Sequence, residues 1–130
     1  MIDSYMKNTF FAAAITAIIF VSPALATDNS STSVYVSTLR AKAEKGDAIA
    51  EYNLALAYHN GDGVTKDDAE AVKWYGKAAE QGYVPAQYSL SIMYSEDGYG
   101  VDKDLPQAIK WCRAAVEQGY AGAERKLGEM

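Results

Sequence analysis

The feature that most constrains this chain is that it repeats itself. The segment Trp74-Tyr75-Gly76-Lys77-Ala78-Ala79-Glu80-Gln81-Gly82-Tyr83 returns 37 residues on as Trp111-Cys112-Arg113-Ala114-Ala115-Val116-Glu117-Gln118-Gly119-Tyr120. Ala50-Glu51-Tyr52-Asn53-Leu54-Ala55-Leu56-Ala57-Tyr58 returns 36 residues on as Ala86-Gln87-Tyr88-Ser89-Leu90-Ser91-Ile92-Met93-Tyr94. The odd residue sits between the two segments, where His59-Asn60-Gly61-Asp62-Gly63-Val64 becomes Ser95-Glu96-Asp97-Gly98-Tyr99-Gly100-Val101. An insertion there falls in a loop and leaves the register of flanking helices intact. A period of this length marks supersecondary units that bury their apolar faces only by stacking on one another.

Each unit reads as two helices. Ala71, Trp74, Tyr75 and Ala78 fall at i, i+3, i+4 and i+7, which is one helical face, and Ala108, Trp111, Cys112 and Ala115 repeat it. Asp67 with Glu70, and Asp104 with Gln107, have the spacing of N-terminal caps, and Pro106 falls in a first turn where its missing N–H does no harm. Gly46, Gly82 and Gly119 follow the last apolar residues of their segments and are suited to the left-handed conformation that closes a helix. Leu54, Ala57 and Tyr58 form a stripe on the first helix of a unit, repeated by Leu90, Met93 and Tyr94. Between the paired helices, glycines permit positive φ, and Val64 or Val101 can tuck back into the core. The pattern predicts helices over about 34–45, 48–60, 67–81, 85–96, 104–118 and 121–129. Full repeats then span about 47–82 and 83–119, with half-repeats flanking them.

The repeated pattern, from Ala50 to Gly82 and again from Ala86 to Gly119, resembles the Sel1-like repeat family, itself similar to tetratricopeptide repeats. A third start is visible at Ala123 to Leu127 and a leading half at Ala41 to Gly46. Cys112 departs from the pattern where a Tyr is usual beside the Trp, and Gly76 stands in mid-helix. The resemblance implies an all-α solenoid of stacked antiparallel helix pairs forming a right-handed superhelix. It also implies an adaptor or scaffold role without catalysis or cofactor.

The N-terminus reads differently. Lys7 precedes an uncharged apolar run from Phe10 to Val21, followed by Ser22-Pro23-Ala24-Leu25-Ala26, with small residues where an A-x-A cleavage site needs them. The run is roughly a dozen residues, short of the ~20 that span a bilayer. Residues 1–26 are therefore expected to be a signal peptide cut after Ala26, with Met6-Lys7 a more typical start than Met1. Export to the periplasm or the medium follows, with no membrane insertion of the mature chain. Residues 27–33, polar and aperiodic, are expected to be a flexible leader, and 34–130 the repeat domain.

The net charge of −5, with Lys and Arg interleaved among acids, argues against nucleic acid, whose binding is driven by clustered cations releasing counterions. One Cys, Cys112, excludes an intramolecular disulfide, and one His, His59, excludes a His-rich metal centre. Cys112 sits on an apolar helical face and is expected to be a buried, inert thiol. His59 is expected to be an exposed polar residue at a helix end. The acids Asp62, Asp67, Asp68, Asp97, Asp102 and Asp104 lack calcium-loop spacing, so capping and solvation account for them. No nucleophile elbow, P-loop or zinc-protease motif occurs.

Binding of another protein is what remains. In helix-pair solenoids the first helix of each pair lines the concave face. Opposite the core stripe lie Tyr52, Leu56, His59 and Asn60, then Tyr88, Ile92, Ser95 and Glu96, with Arg125 extending the row. These nine residues are the expected contact surface, since aromatics beside polar groups are the usual makings of an interface hot spot. Tyr52 and Tyr88 have inter-repeat packing as an equal alternative. Leu56 and Ile92, apolar and opposite the core, are the stronger candidates. Two roles fit: a periplasmic adaptor or scaffold, or an immunity-type inhibitor that neutralises a toxin or secreted enzyme such as a phospholipase. Self-association is one way to cover the end of so short a stack.

Overall fold

The computed structural model describes residues 31–130, so the expected signal peptide (1–26) and the start of the expected leader lie outside the described residues. All regular structure in the described part is helical: α1 over 31–43, α2 Ala48–Asn60, α3 Asp68–Glu80, α4 Val84–Ser95, α5 Leu105–Glu117 and α6 Ala121–Glu129. Consecutive helices pack on one another, α2 with α3, α3 with α4, α4 with α5 and α5 with α6. The result is an α-solenoid of antiparallel helix pairs, compact over Tyr35–Met130.

The helix ends follow from side-chain chemistry. Asp47 accepts hydrogen bonds from the Ile49 and Ala50 amides, Asp67 from Glu70 N, and Asp104 from Gln107 N. Each supplies an acceptor to amides that have no partner within the helix. At the other ends, Gly82 and Gly119 adopt φ of 84° and 81°, letting Tyr83 N and Tyr120 N reach back to the Ala78 and Ala115 carbonyls at 3.1 Å.

Helices α2 and α6 have the expected bounds, α3 and α5 are one residue shorter at each end, and α1 and α4 differ in ways with a physical reason. Residues 31–33, assigned to the leader, form the first turn of α1, which ends at 43 rather than near 45. Polar Ser and Thr are tolerated in a first turn, where their hydroxyls can bond local backbone groups. Glu96, expected within α4, lies beyond it in extended conformation. Whereas α2 closes on Gly61 at φ 77°, α4 has no glycine there, and the extra residue of the second loop is absorbed in this different exit. Both loops nevertheless return to the same place: Asp67 N bonds to Tyr58 O and Asp104 N to Tyr94 O, each at 2.9 Å.

The core is built of small and branched residues in two clusters, a larger one from Val36 to Met93 and a smaller one around Cys112, Ala115 and Ala123. Ala55, Ala71, Ala78, Ala86, Ala108, Ala115 and Ala123 are wholly buried, because close approach of helix backbones leaves no room for larger groups. Leu54, Leu90, Trp74, Tyr75 and Met93 fill the space between pairs, and Val64 and Val101 pack against them from the loops. A repeated polar clasp crosses the stack. Gln81 Nε2 donates to buried Glu51 Oε2 at 2.7 Å, and at the equivalent place Gln118 Nε2 donates to Gln87 Oε1 at 3.0 Å. Burial raises the Glu51 carboxyl above its usual range, partly opposed by the Gln81 hydrogen bond and by Lys77.

Candidate functional site

The two first helices, α2 and α4, lie on the same side of the stack, and a cavity of about 270 Å³ opens between them. Leu56 and His59 line it from α2; Ser89, Ile92 and Met93 from α4; Tyr75 from α3; and Tyr99 from the loop after α4. The lining residues are mostly apolar and aromatic, their polar groups being the hydroxyls of Ser89, Tyr75 and Tyr99 and the His59 imidazole, the composition common to small recognition pockets.

Three of the nine expected contact residues meet there: Leu56, His59 and Ile92. Tyr52 is half-buried in ring packing, with its centroid 5.5 Å from Tyr75 and 5.3 Å from Tyr83. Tyr88 stacks on Tyr120 at 5.0 Å. Inter-repeat packing is thus the role the structure gives both tyrosines, because each fills the wedge between its own helix pair and the next. Ser95 bonds its own helix at Ile92 O, Asn60 reaches Asp62 at 3.3 Å, and Glu96 pairs with Lys126 at 2.8 Å. Arg125 is exposed on α6.

His59 departs from the expected free helix end. It is half-buried, 32 % exposed, and its Nδ1 donates to Asp68 Oδ1 at 2.6 Å. The carboxylate accepts, and the contact fixes the orientation of the ring across the loop. The Tyr99 ring lies 5.7 Å from the imidazole. The next residue, Gly100, at φ 67°, comes so near the start of α3 that a Cβ would sit 3.3 Å from Ala69 N and 3.4 Å from Asp68 Cβ. The longer second loop is therefore pressed against the first repeat, and this brings Tyr99 to the cavity wall.

Sequence reasoning missed Tyr75, Ser89, Met93 and Tyr99. Tyr75 and Met93 were assigned wholly to the core, yet each also shows an edge to the cavity while remaining buried. Burial and the neighbouring Tyr52 hold the Tyr75 phenol well above its usual pKa, so it stays a neutral hydroxyl. Ser89 lies one turn before Ile92 and was readable from that spacing. The signal for Tyr99 was the insertion itself, an aromatic placed where the first loop has Asp62. Cys112 is fully buried, its Sγ donating to Ala123 O at 3.1 Å, and burial pushes its pKa up. Among the described residues no three His, Cys, Asp or Glu side chains converge as a metal cage would, and no helix is long and apolar enough to cross a membrane.

A family model described as Sel1 repeat matches residues 48–83 and 84–120. A Rhizobium leguminosarum bv. viciae exopolysaccharide production negative regulator is 48 % identical over 50 residues, 38 % of this chain and 19 % of the regulator. An Arabidopsis thaliana F-box protein is 42 % identical over 57 residues, 44 % of this chain and 16 % of that protein. The chain thus matches less than a fifth of the length of either relative. Two crystal structures are similar. One is a protective antigen of uropathogenic Escherichia coli strains displaying an SLR fold, with TM-score 0.68 and 41 % identity over 73 % of this chain and 20 % of the antigen. The other is a Sel1 repeat protein from Oxalobacter formigenes, with TM-score 0.67 and 38 % identity over 71 % of this chain and 68 % of that one.

Proposed function

Because this chain belongs to the Sel1 repeat family, we propose that it is an exported protein–protein interaction module that acts as an adaptor in the periplasm. The observation that carries the reading is the cavity between α2 and α4, where Leu56, packed against the core, and Ile92 are only half-buried and leave apolar surface open. Apolar surface left open to solvent favours a partner that removes it from water. The crossed clasps and the alanine spine make the flank a stiff platform, so little conformational entropy is lost when a partner docks. Export is supported by the Lys7, Phe10–Val21 and Ala24-Leu25-Ala26 pattern.

The test is capture of proteins from periplasmic extract by the purified mature chain, beside Leu56→Arg and Ile92→Arg. Both variants should lose the captured protein, since each sets a charge against an apolar contact. Unimpaired capture by both refutes the assignment of this face. Fractionation and N-terminal sequencing should find a periplasmic protein starting at Thr27. If the captured protein is an enzyme that the chain silences stoichiometrically, the role is inhibition rather than scaffolding.

A further inference from the structure

The loops that follow α2 and α4 both lie at the cavity's end of the stack, because His59 closes α2 and Tyr99 comes from the second loop. They also hold most of the chain's net negative charge. Residues 61–67 and 96–104 carry Asp62, Asp67, Glu96, Asp97, Asp102 and Asp104 against Lys66 and Lys103, an excess of four negative charges out of the whole chain's net −5. Lys126 neutralises Glu96, and Asp67 and Asp104 are engaged as helix caps, so the exposed acids left at this end are Asp62, Asp97 and Asp102. An apolar, aromatic-walled hole thus opens beside an acidic rim.

We propose that this cavity receives one aromatic side chain from a peptide segment whose flanking residues are basic. The inference rests on the interaction-module reading and names the chemistry of what binds.

Size and lining select the ring. An apolar cavity of ~150 Å³ is enough to hold benzene, so about 270 Å³ takes a Trp, Tyr or Phe side chain with room for its Cβ. Met93, Tyr75 and Tyr99 in the lining are residue types that pack favourably against an aromatic ring. No carboxylate lines the cavity, and the nearby Asp68 is already engaged by His59, so a Lys or Arg head inserted there would lose hydration without a free carboxylate to pair with. The cations belong at the rim, where Asp97 and Asp102 meet them in solvent and steer the encounter. Tyr99 makes the site specific to this pair of repeats, since the shorter first loop has Asp62 in its place.

The probe is a fluorescein-labelled peptide, acetyl-KRSWSRK-amide, titrated with the full mature chain and read by anisotropy. An analogue with Ala for Trp should bind about tenfold more weakly or worse, as loss of an anchor residue does. An analogue with Glu for every Lys and Arg should also lose about tenfold, and raised salt should shrink that difference. Ile92→Trp, which fills the cavity from within, should abolish the preference for Trp over Ala. Asp97→Asn combined with Asp102→Asn changes only exposed rim residues, and should weaken the basic peptide while leaving the Trp preference intact. Equal binding of the Trp and Ala peptides overturns the proposal, and so does tighter binding of the acidic analogue. If no peptide binds while Leu56→Arg still destroys partner capture, this inference falls and the adaptor reading stands. If capture also ignores the groove variants, both fall.

Discussion

Leu54, Leu90 and Leu127 occupy one register of the repeat, the fourth residue after Ala50, Ala86 and Ala123. A leucine-to-alanine series at these sites therefore measures the stack directly. Leu54 and Leu90 are 0 % and 1 % exposed, enclosed by helices on both sides, whereas Leu127 is half-buried against Cys112, Ala115 and Ala123. Truncation removes three carbons, at about 0.8 kcal/mol of transfer free energy for each. A residual cavity in a spine too stiff to collapse adds roughly 1 kcal/mol more. The expected cost is about 3 kcal/mol at Leu54 and Leu90, and about 1 kcal/mol at Leu127, where solvent already reaches the side chain and little void is left. Against a total stability of about 5–15 kcal/mol for a domain of this size, the two inner substitutions are severe. The assay is urea unfolding of the mature chain followed by far-ultraviolet circular dichroism, comparing midpoints at common slope. A Leu127→Ala midpoint shifted as far as that of Leu90→Ala would refute the reasoning, because it would mean that both faces of α6 are enclosed as those of α4 are.

Further outcomes follow from the same contacts. Since the Glu51 carboxyl has a raised pKa in the fold, the native state resists its ionisation. Its contribution is most favourable below the ordinary carboxylate pKa and is lost as pH rises through the folded value. Glu51→Gln, which copies the Gln87 clasp of the next unit, should raise the unfolding midpoint at neutral pH and flatten that part of the pH profile; a lower midpoint at neutral pH contradicts this. Gly76→Ala should stabilise α3 by about 1 kcal/mol, seen as a higher thermal midpoint, because the added methyl meets no atom within 4 Å. The Cys112 thiol should resist a thiol-specific reagent in native buffer and react fully in denaturant, and fast native labelling would show that α6 does not seal it.

Much of the architecture was legible in the chain before any coordinates. The recurrence of Trp74 as Trp111, the capping aspartates and the closing glycines fix helix number, polarity and length, because each acts within a few residues of itself. Leu54 and Leu90 were readable as core because helical periodicity decides which face of a helix is apolar. The candidate site was legible only in part. Leu56, His59 and Ile92 followed from the same periodicity, taken on the opposite face.

What only the tertiary structure decided is how neighbouring units close on one another. Tyr52 turned inward to Tyr75 on α3 and Tyr88 to Tyr120 just before α6, His59 found Asp68 across a loop, and a single inserted residue carried Tyr99 to the cavity wall. Period and spacing report the environment of a residue along its own helix. They carry no record of which side chain from another helix or loop arrives to fill a gap, and that is settled by the packing of elements already formed.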